Sequence, residues 1–242
     1  MKKLILSIFM ITALASFAEG NTVDVRAGFD FSSKAKIKDE DVSFDLLKRG
    51  FELGAEYRRN LGTGFEVGGG IFYKANSFKK NAIDEALIDD GTTGDVYPTN
   101  VTSKKFNAFP IYATARYNFT TPSEDIVPYV KANLGYSINS GKLESKYTTN
   151  TSTYPDVAGR VDESYKFKNG LYYGLGTGLK YKNFFVDLSY NVIRSKVENT
   201  YMSSVYHTNV NGVRGTTYEY DKWNTKVNSK FVTLSFGYSF GF

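Results

Sequence analysis

The chain contains no cysteine and one histidine, His207. Without thiols there is no disulfide scaffold, no thiolate zinc site and no cysteine nucleophile. A lone imidazole leaves little for a catalytic dyad or a histidine metal site. Long apolar runs are missing as well. After the first 20 residues nothing approaches the roughly 20 apolar residues of a spanning helix, and mean hydropathy is −0.34. A helical membrane protein is excluded. Charge of one sign is not in large excess either: 30 Lys+Arg face 25 Asp+Glu, a formal +5, too mild for the electrostatic footprint of a nucleic-acid binder. Leucine is sparse. What is abundant is aromatic and small: 19 Tyr, 19 Phe and 22 Gly in 242 residues.

The first segment reads as a leader. Met1-Lys2-Lys3 is a basic start, residues 4–14 are apolar over the length of a signal core, and Ser16-x-Ala18 has the small residues that a signal peptidase prefers. Residues 1–18 are expected to be a cleaved secretory signal and residues 19–242 the mature domain. Cleavage removes Lys2 and Lys3, two of the five net positive charges.

Downstream, apolar residues recur at every second position, the period of a strand with two unlike faces. In residues 231–242, Val232, Leu234, Phe236, Tyr238, Phe240 and Phe242 share one side, while Thr233, Ser235, Gly237, Ser239 and Gly241 lie among those opposite. Segments 22–31, 51–58, 65–74, 109–119, 128–138, 171–181 and 184–192 repeat the pattern. Each is close to the ~9–11 residues of a tilted membrane strand. The charges sit on the faces opposite the apolar ones. They comprise six acids, Asp24, Asp30, Glu52, Glu56, Glu66 and Asp187, and six bases, Arg26, Arg58, Lys74, Arg116, Lys131 and Lys180. Tyr and Phe gather at strand ends, as at Tyr57, Phe65, Tyr73, Phe109, Phe119, Tyr181 and Phe184, where an interfacial girdle belongs. A soluble sandwich or lipocalin-like barrel would turn its apolar faces inward; this distribution favours apolar faces turned to lipid.

Connections alternate between short (59–64, 120–127, 182–183) and long (32–50, 75–108, 139–170, 193–229). The expected fold is all-β: an eight-stranded antiparallel up-and-down transmembrane β-barrel in the outer membrane. It has short periplasmic turns, four long extracellular loops and both termini in the periplasm. A two-residue turn at Lys182-Asn183 pairs Tyr181 with Phe184, two residues of like face, so that register is self-consistent.

The C-terminal run Ser235-x-Gly237-x-x-Phe240-x-Phe242 resembles the terminal assembly signal of bacterial outer-membrane proteins. That resemblance implies reading by the barrel-assembly machinery as an added strand. The mature chain resembles small outer-membrane barrels of the OmpA/OmpX type, including opacity and attachment-invasion proteins. The likeness lies in architecture and terminal signal.

Other features are weighed in the long connections. Asn211-Gly212 is a hairpin signal between β-prone runs, which suggests a tall ribbon. Its turn pairs Val210 with Val213, an odd index sum, whereas the membrane faces need an even one. A β-bulge is therefore expected in that ribbon, unless the hairpin folds separately over the mouth. Residues 146–155 mix Tyr with Thr, Ser and Asn, a composition of adaptable contact loops. The acids Asp84, Glu85, Asp89, Asp90 and Asp95 lack EF-hand spacing and read as a solvated loop, and residues 83–88 suit a short helical turn. His207 lies among Ser203, Ser204, Glu198, Glu219 and Asp221, without the His-x-Ser arrangement associated with barrel deacylases, and reads as a surface histidine.

No catalytic, cofactor or metal site is expected. Twelve balanced interior charges predict a lumen plugged by ion pairs. The leading expectation is a monomeric, non-enzymatic surface protein contacting outer-membrane lipid and lipopolysaccharide. Its loops would serve adhesion, host or matrix contact, or envelope support. The alternative is a narrow channel for small or apolar solutes, favoured by inward glycines (Gly68, Gly70, Gly174, Gly176, Gly178) that suggest a local cavity.

Overall fold

A strand whose alternate side chains face lipid must find partners for its backbone N–H and C=O groups along both edges, because hydrocarbon supplies none. The chain meets that requirement by closing on itself. The computed structural model describes residues 20–37, 43–44, 47–79, 96–122, 125–150, 158–208 and 214–241, and every regular element among them is a strand. These are β1 (Asn21–Ile37), β2 (Ser43–Phe44), β3 (Leu47–Asn60), β4 (Phe65–Phe78), β5 (Val96–Asn118), β6 (Ile126–Asn150), β7 (Ala158–Phe167), β8 (Gly170–Tyr181), β9 (Phe184–Thr208) and β10 (Arg214–Gly241). The expected leader, the acidic run 80–95, residues 151–157, the Asn211-Gly212 turn and Phe242 lie outside the described residues.

β7 and β8 follow one another across Lys168-Asn169 and both lie between β6 and β9, so they fill one position in the ring. β2 is a two-residue strand beside Ala35 and Lys36. The remaining order, β10–β1–β3–β4–β5–β6–β7/β8–β9 and back to β10, is a ring of 8 antiparallel strands. Its exposure is inverted relative to a soluble domain. Leu134 is 60% exposed and Leu175 67%, while Asp30, Glu52, Lys74 and Asp187 are fully buried.

The short connections behave as read. Tyr181 pairs with Phe184 across Lys182-Asn183, with Lys182 in the left-handed region at φ 53°. β3 turns into β4 through Gly62, Thr63 and Gly64, all at positive φ. The Phe65 N–H donates to the Gly62 carbonyl at 3.0 Å.

Two expectations change. The bulge is not in the β9–β10 ribbon: that ladder runs unbroken in one even register from Tyr238↔Phe184 to Arg214↔Thr208. The Val210–Val213 pairing itself lies outside the described residues. The offset sits instead in β1, where the pairing to β10 slips between Asp30 and Ser32. Phe31 is the inserted residue, and beyond it the buried positions change from even to odd, Ser33 and Ala35.

The second change concerns the segments read as long loops, which are largely strand. On one side of the ring, β5, β6, β7, β9 and β10 continue well past the others. The β1–β10 ladder ends at Ile37↔Val227 and the β4–β5 ladder at Asn76↔Phe106. Pairing among the five taller strands goes on to Val96↔Thr149, Asn150↔Ala158, Gly159↔Val205 and Arg214↔Thr208. At about 3.3 Å per residue, β10 runs on for roughly 40 Å of strand. The result is an open five-stranded wall standing on part of a closed barrel.

Candidate functional site: the barrel interior and the wall

Inward positions bring most of the twelve charged residues together. Ten are buried, and Glu66 and Lys180 are half-buried. Nearest the short turns, Arg58 holds three carboxylates: Asp24 at 2.7 Å, Glu56 at 2.6 Å and Glu66 at 2.7 Å. Arg116 approaches Asp24 at 3.7 Å and lies over the Tyr129 ring, 3.3 Å from its centroid. Lys131 pairs with Asp187 at 2.8 Å, which also accepts a hydrogen bond from the Tyr129 hydroxyl at 3.1 Å. Further along the axis, Glu52 takes Arg26 at 3.6 Å and Lys74 at 3.1 Å. Asp30 accepts from Lys74, from Thr233 at 2.6 Å and from Asn76 at 3.0 Å. Among the described residues Lys180 has no such ion pair. Burying charge is tolerable only with partners of this quality.

Beyond the charges, towards the wall, the interior turns apolar. This the alternation did not reveal. Phe72, Tyr112 and Tyr172 form one mutually packed triad with ring centroids 5.4–5.8 Å apart. Phe106 then packs on Phe167 at 5.2 Å and on Phe231 at 6.2 Å. Leu47, Phe78, Ile193, Val197 and Val227 join the same cluster, with Ala35 and Ala108. Arg26 lies over Phe72 at 5.2 Å and Lys74 over Phe231 at 4.6 Å, so the cations of one layer rest on rings of the next. Tyr112, Tyr172 and Phe231 were readable as inward from their parity. Phe78, Phe106 and Phe167 fall in segments read as loops, and only the pairing of the tall strands turns them inside.

The inward glycines do not open a cavity. A Cβ at Gly178 would collide with the Tyr129 ring, at Gly70 with Tyr112, at Gly174 with Asn191 and at Gly237 with Phe185. These four are slots for side chains of neighbouring strands, while a Cβ at Gly68 would meet the Tyr57 backbone and one at Gly176 would press on Lys131. The space enclosed by Asp24, Arg26, Glu56, Arg58, Arg116, Tyr129, Lys131 and Phe185 holds no room for a water-sized sphere. Charge layer and aromatic layer are two closures in series.

Of the terminal signal, Ser235 donates to Glu52 at 3.2 Å, Gly237 receives the Phe185 ring and Phe240 is exposed on the outer face at 46%. On the wall, Glu198 joins Lys168 at 2.9 Å and Lys222 at 3.2 Å. His207 pairs through its backbone with Gly215. The hydrogen bonds from Lys168 and then Lys222 hold the Glu198 carboxyl below its ordinary 4.5. Its contribution to the wall is therefore full above that value and is lost as pH falls through the lower, folded one. Carbon-13 titration of this carboxyl is expected to give a midpoint below 4.5, moved upward in Lys168→Gln; a midpoint unmoved by that substitution would show that the pair is not formed in solution.

Among known proteins, the family model described as outer membrane protein beta-barrel domain matches residues 4–240. An uncharacterized protein of Pasteurella multocida (strain Pm70), PM1543, is 28% identical over 226 residues, covering 85% of this chain and 90% of that one. Among solved structures, Neisserial surface protein A is 16% identical with a TM-score of 0.42, over 92% of this chain and 98% of that one. The attachment invasion locus protein Ail of Yersinia pestis is 17% identical at 0.39, over 92% and 100%. OprG of Pseudomonas aeruginosa is 13% identical at 0.45, over 93% and 97%.

Proposed function

Since this chain belongs to the outer membrane protein β-barrel family, we propose that it is a non-enzymatic surface protein whose barrel is a closed anchor and whose wall is the working surface. In this reading the short turns and both termini face the periplasm, the leader is removed on export, and the end of β10 engages the barrel-assembly machinery. The molecule works as a monomer, contacting a host, matrix or envelope ligand through the wall.

The observation that carries the reading is the chemistry of the wall. Tyr218 is 72% exposed and Tyr220 66%, with Met202 directly across from Tyr220 on the same face. Trp223 is exposed on the other side of β10. These side chains lie far beyond the lipid-facing band, so lipid does not account for them. Rigid aromatics standing in water on an ordered sheet are the usual anchors of protein contacts.

The test is a Tyr218→Ser, Tyr220→Ser, Trp223→Ser variant displayed on cells. Binding to host cells or extracellular matrix is expected to fall about tenfold or more, since anchor residues carry ~2 kcal/mol or above each. The heat-modified gel shift of the folded barrel should stay unchanged. Binding equal to the parent would overturn the wall as the contact surface.

A further inference from the structure

The unbroken β9–β10 register sorts the charges of the wall by face. Val197 and Val227 are buried in the interior, so the odd positions above them on β9 and β10 continue the inner side and the even positions the outer. β7 follows the same parity, because Phe167 pairs with Val197 and Tyr165 with Asn199. Inner positions of the wall carry Glu163, Glu219 and Asp221. Among the described residues of β7, β9 and β10 they carry no lysine or arginine. Lys166, Lys222 and Lys226 are exposed on the outer positions.

The inner acids stand among rings. Two rows cross the three strands on that side: Tyr165, Asn199 and Trp223, and next to it Glu163, Tyr201 and Asp221. Neighbours in a row are about 4.8 Å apart and adjacent rows about 6.7 Å. Trp223 is 44% exposed, Glu219 and Asp221 are exposed, and Glu163 accepts from the Tyr165 hydroxyl at 3.0 Å. Asn199, between the Tyr165 and Trp223 positions, is buried at 7% exposure. Its amide donates to the Thr225 hydroxyl at 3.1 Å, while its Oδ1 is buried and has no hydrogen-bond partner among the described residues. A buried acceptor left unpaired is costly, and an N–H group is its complement. Rings, carboxylates and unpaired acceptor all call for one chemistry, a cation with several donors.

We infer that the inner face of the wall binds an arginine-bearing peptide segment, with one guanidinium stacked on Trp223 and donating to Asp221 and to Asn199 Oδ1. A guanidinium is planar, weakly hydrated and carries five donors, so it stacks on a ring and grips a carboxylate at once. An ammonium is a compact, strongly hydrated charge and does this less well. Glu163 and Asp221 lie two strand spacings apart, roughly 10 Å, and Glu219 lies one row further along β10. That spread suits successive side chains of an extended segment. The inference rests on the wall being the contact surface, and it concerns the side opposite Tyr218 and Tyr220.

Trp223 is the only tryptophan of the chain and reports on this face directly. Purified barrel in zwitterionic detergent, titrated with a hexa-arginine peptide at physiological salt, should show a saturable change in its emission. Hexalysine and spermine should bind about tenfold more weakly or worse. The double variant Glu219→Gln, Asp221→Asn should weaken the arginine peptide by about tenfold or more, with the heat-modified gel shift intact. Lys226→Gln and the pair Tyr218→Ser, Tyr220→Ser, all on the outer face, should leave its affinity unchanged. The inference is overturned by an emission that does not saturate, by equal binding of hexalysine or spermine, or by unchanged affinity in the double variant. Weakening by the outer tyrosine pair would place the peptide on the other face and overturn it too. Failure of the contact reading shows elsewhere, as unaltered host-cell binding in the Tyr218, Tyr220, Trp223 variant.

Discussion

Replacing Arg58 by Met is expected to cost about 3–5 kcal/mol of barrel stability, the usual range when one partner is removed from a buried ionic cluster. Arg58 is 2% exposed and stands between Asp24, Glu56 and Glu66. With it gone, Glu56 keeps the Tyr112 hydroxyl at 2.9 Å and Asp24 keeps Ser239 at 2.6 Å, but the nearest remaining cation for Asp24 is Arg116 at 3.7 Å. Asp24 would then keep one long ion pair, while Glu56 and the half-buried Glu66 keep only neutral donors, Glu66 from Asn118 at 2.8 Å. Urea midpoints of the barrel folded into bilayers measure the loss. Adding Asp24→Asn and Glu56→Gln to the same chain should restore most of it, because the penalty comes from stranded charge rather than missing volume. A cost below about 1 kcal/mol, as for an exposed ion pair, would mean that water reaches this layer.

Phe106→Ala is expected to be comparably damaging and electrically silent. The ring is fully buried between Phe167 and Phe231. Truncating a buried aromatic costs about 3–5 kcal/mol through lost transfer energy and the void left behind. That void would still open onto Lys74, Asp30 and Glu52, which block the axis one layer deeper. In planar bilayers the parent protein and Phe106→Ala should therefore both lack steady single-channel steps. Steps in the parent would sink the closed interior and revive the narrow channel; steps in Phe106→Ala alone would make the aromatic layer the sole seal.

The barrel was readable in the sequence because period-two alternation has a single consequence in lipid. Val25, Leu53 and Leu134 face out and Asp24, Glu52 and Asn133 face in, and the Tyr181–Phe184 register followed from turn length alone. The pairing partners inside were not readable. Lys74 meets Asp30 rather than a nearer charge in the chain because strand stagger places them side by side. Stagger depends on where a bulge falls, and the Phe31 bulge carries no local signature: neither Gly nor Asn marks it. The bulge expected in the β9–β10 ribbon rested on a turn motif that lies outside the described residues, and the described ladder runs without one. The aromatic interior escaped for a different reason. Phe106 and Phe167 are preceded by polar runs that read as loop, and only the neighbours on either side make those runs strand. The glycines misled through geometry, since a missing side chain signals space but does not say whose ring fills it.

The ladder that closes the ring joins the two ends of the sequence. Asp24 accepts from Ser239, 215 residues away, and Asp30 from Thr233, 203 residues away. Contacts of such separation form last and slowly. Until β10 arrives, β1 carries an open edge and acids short of their partners, a state that hydrocarbon penalises heavily. The seam therefore makes insertion directional in time: a partly assembled barrel has no comfortable resting place in the bilayer, and completing the circle is its way to relief.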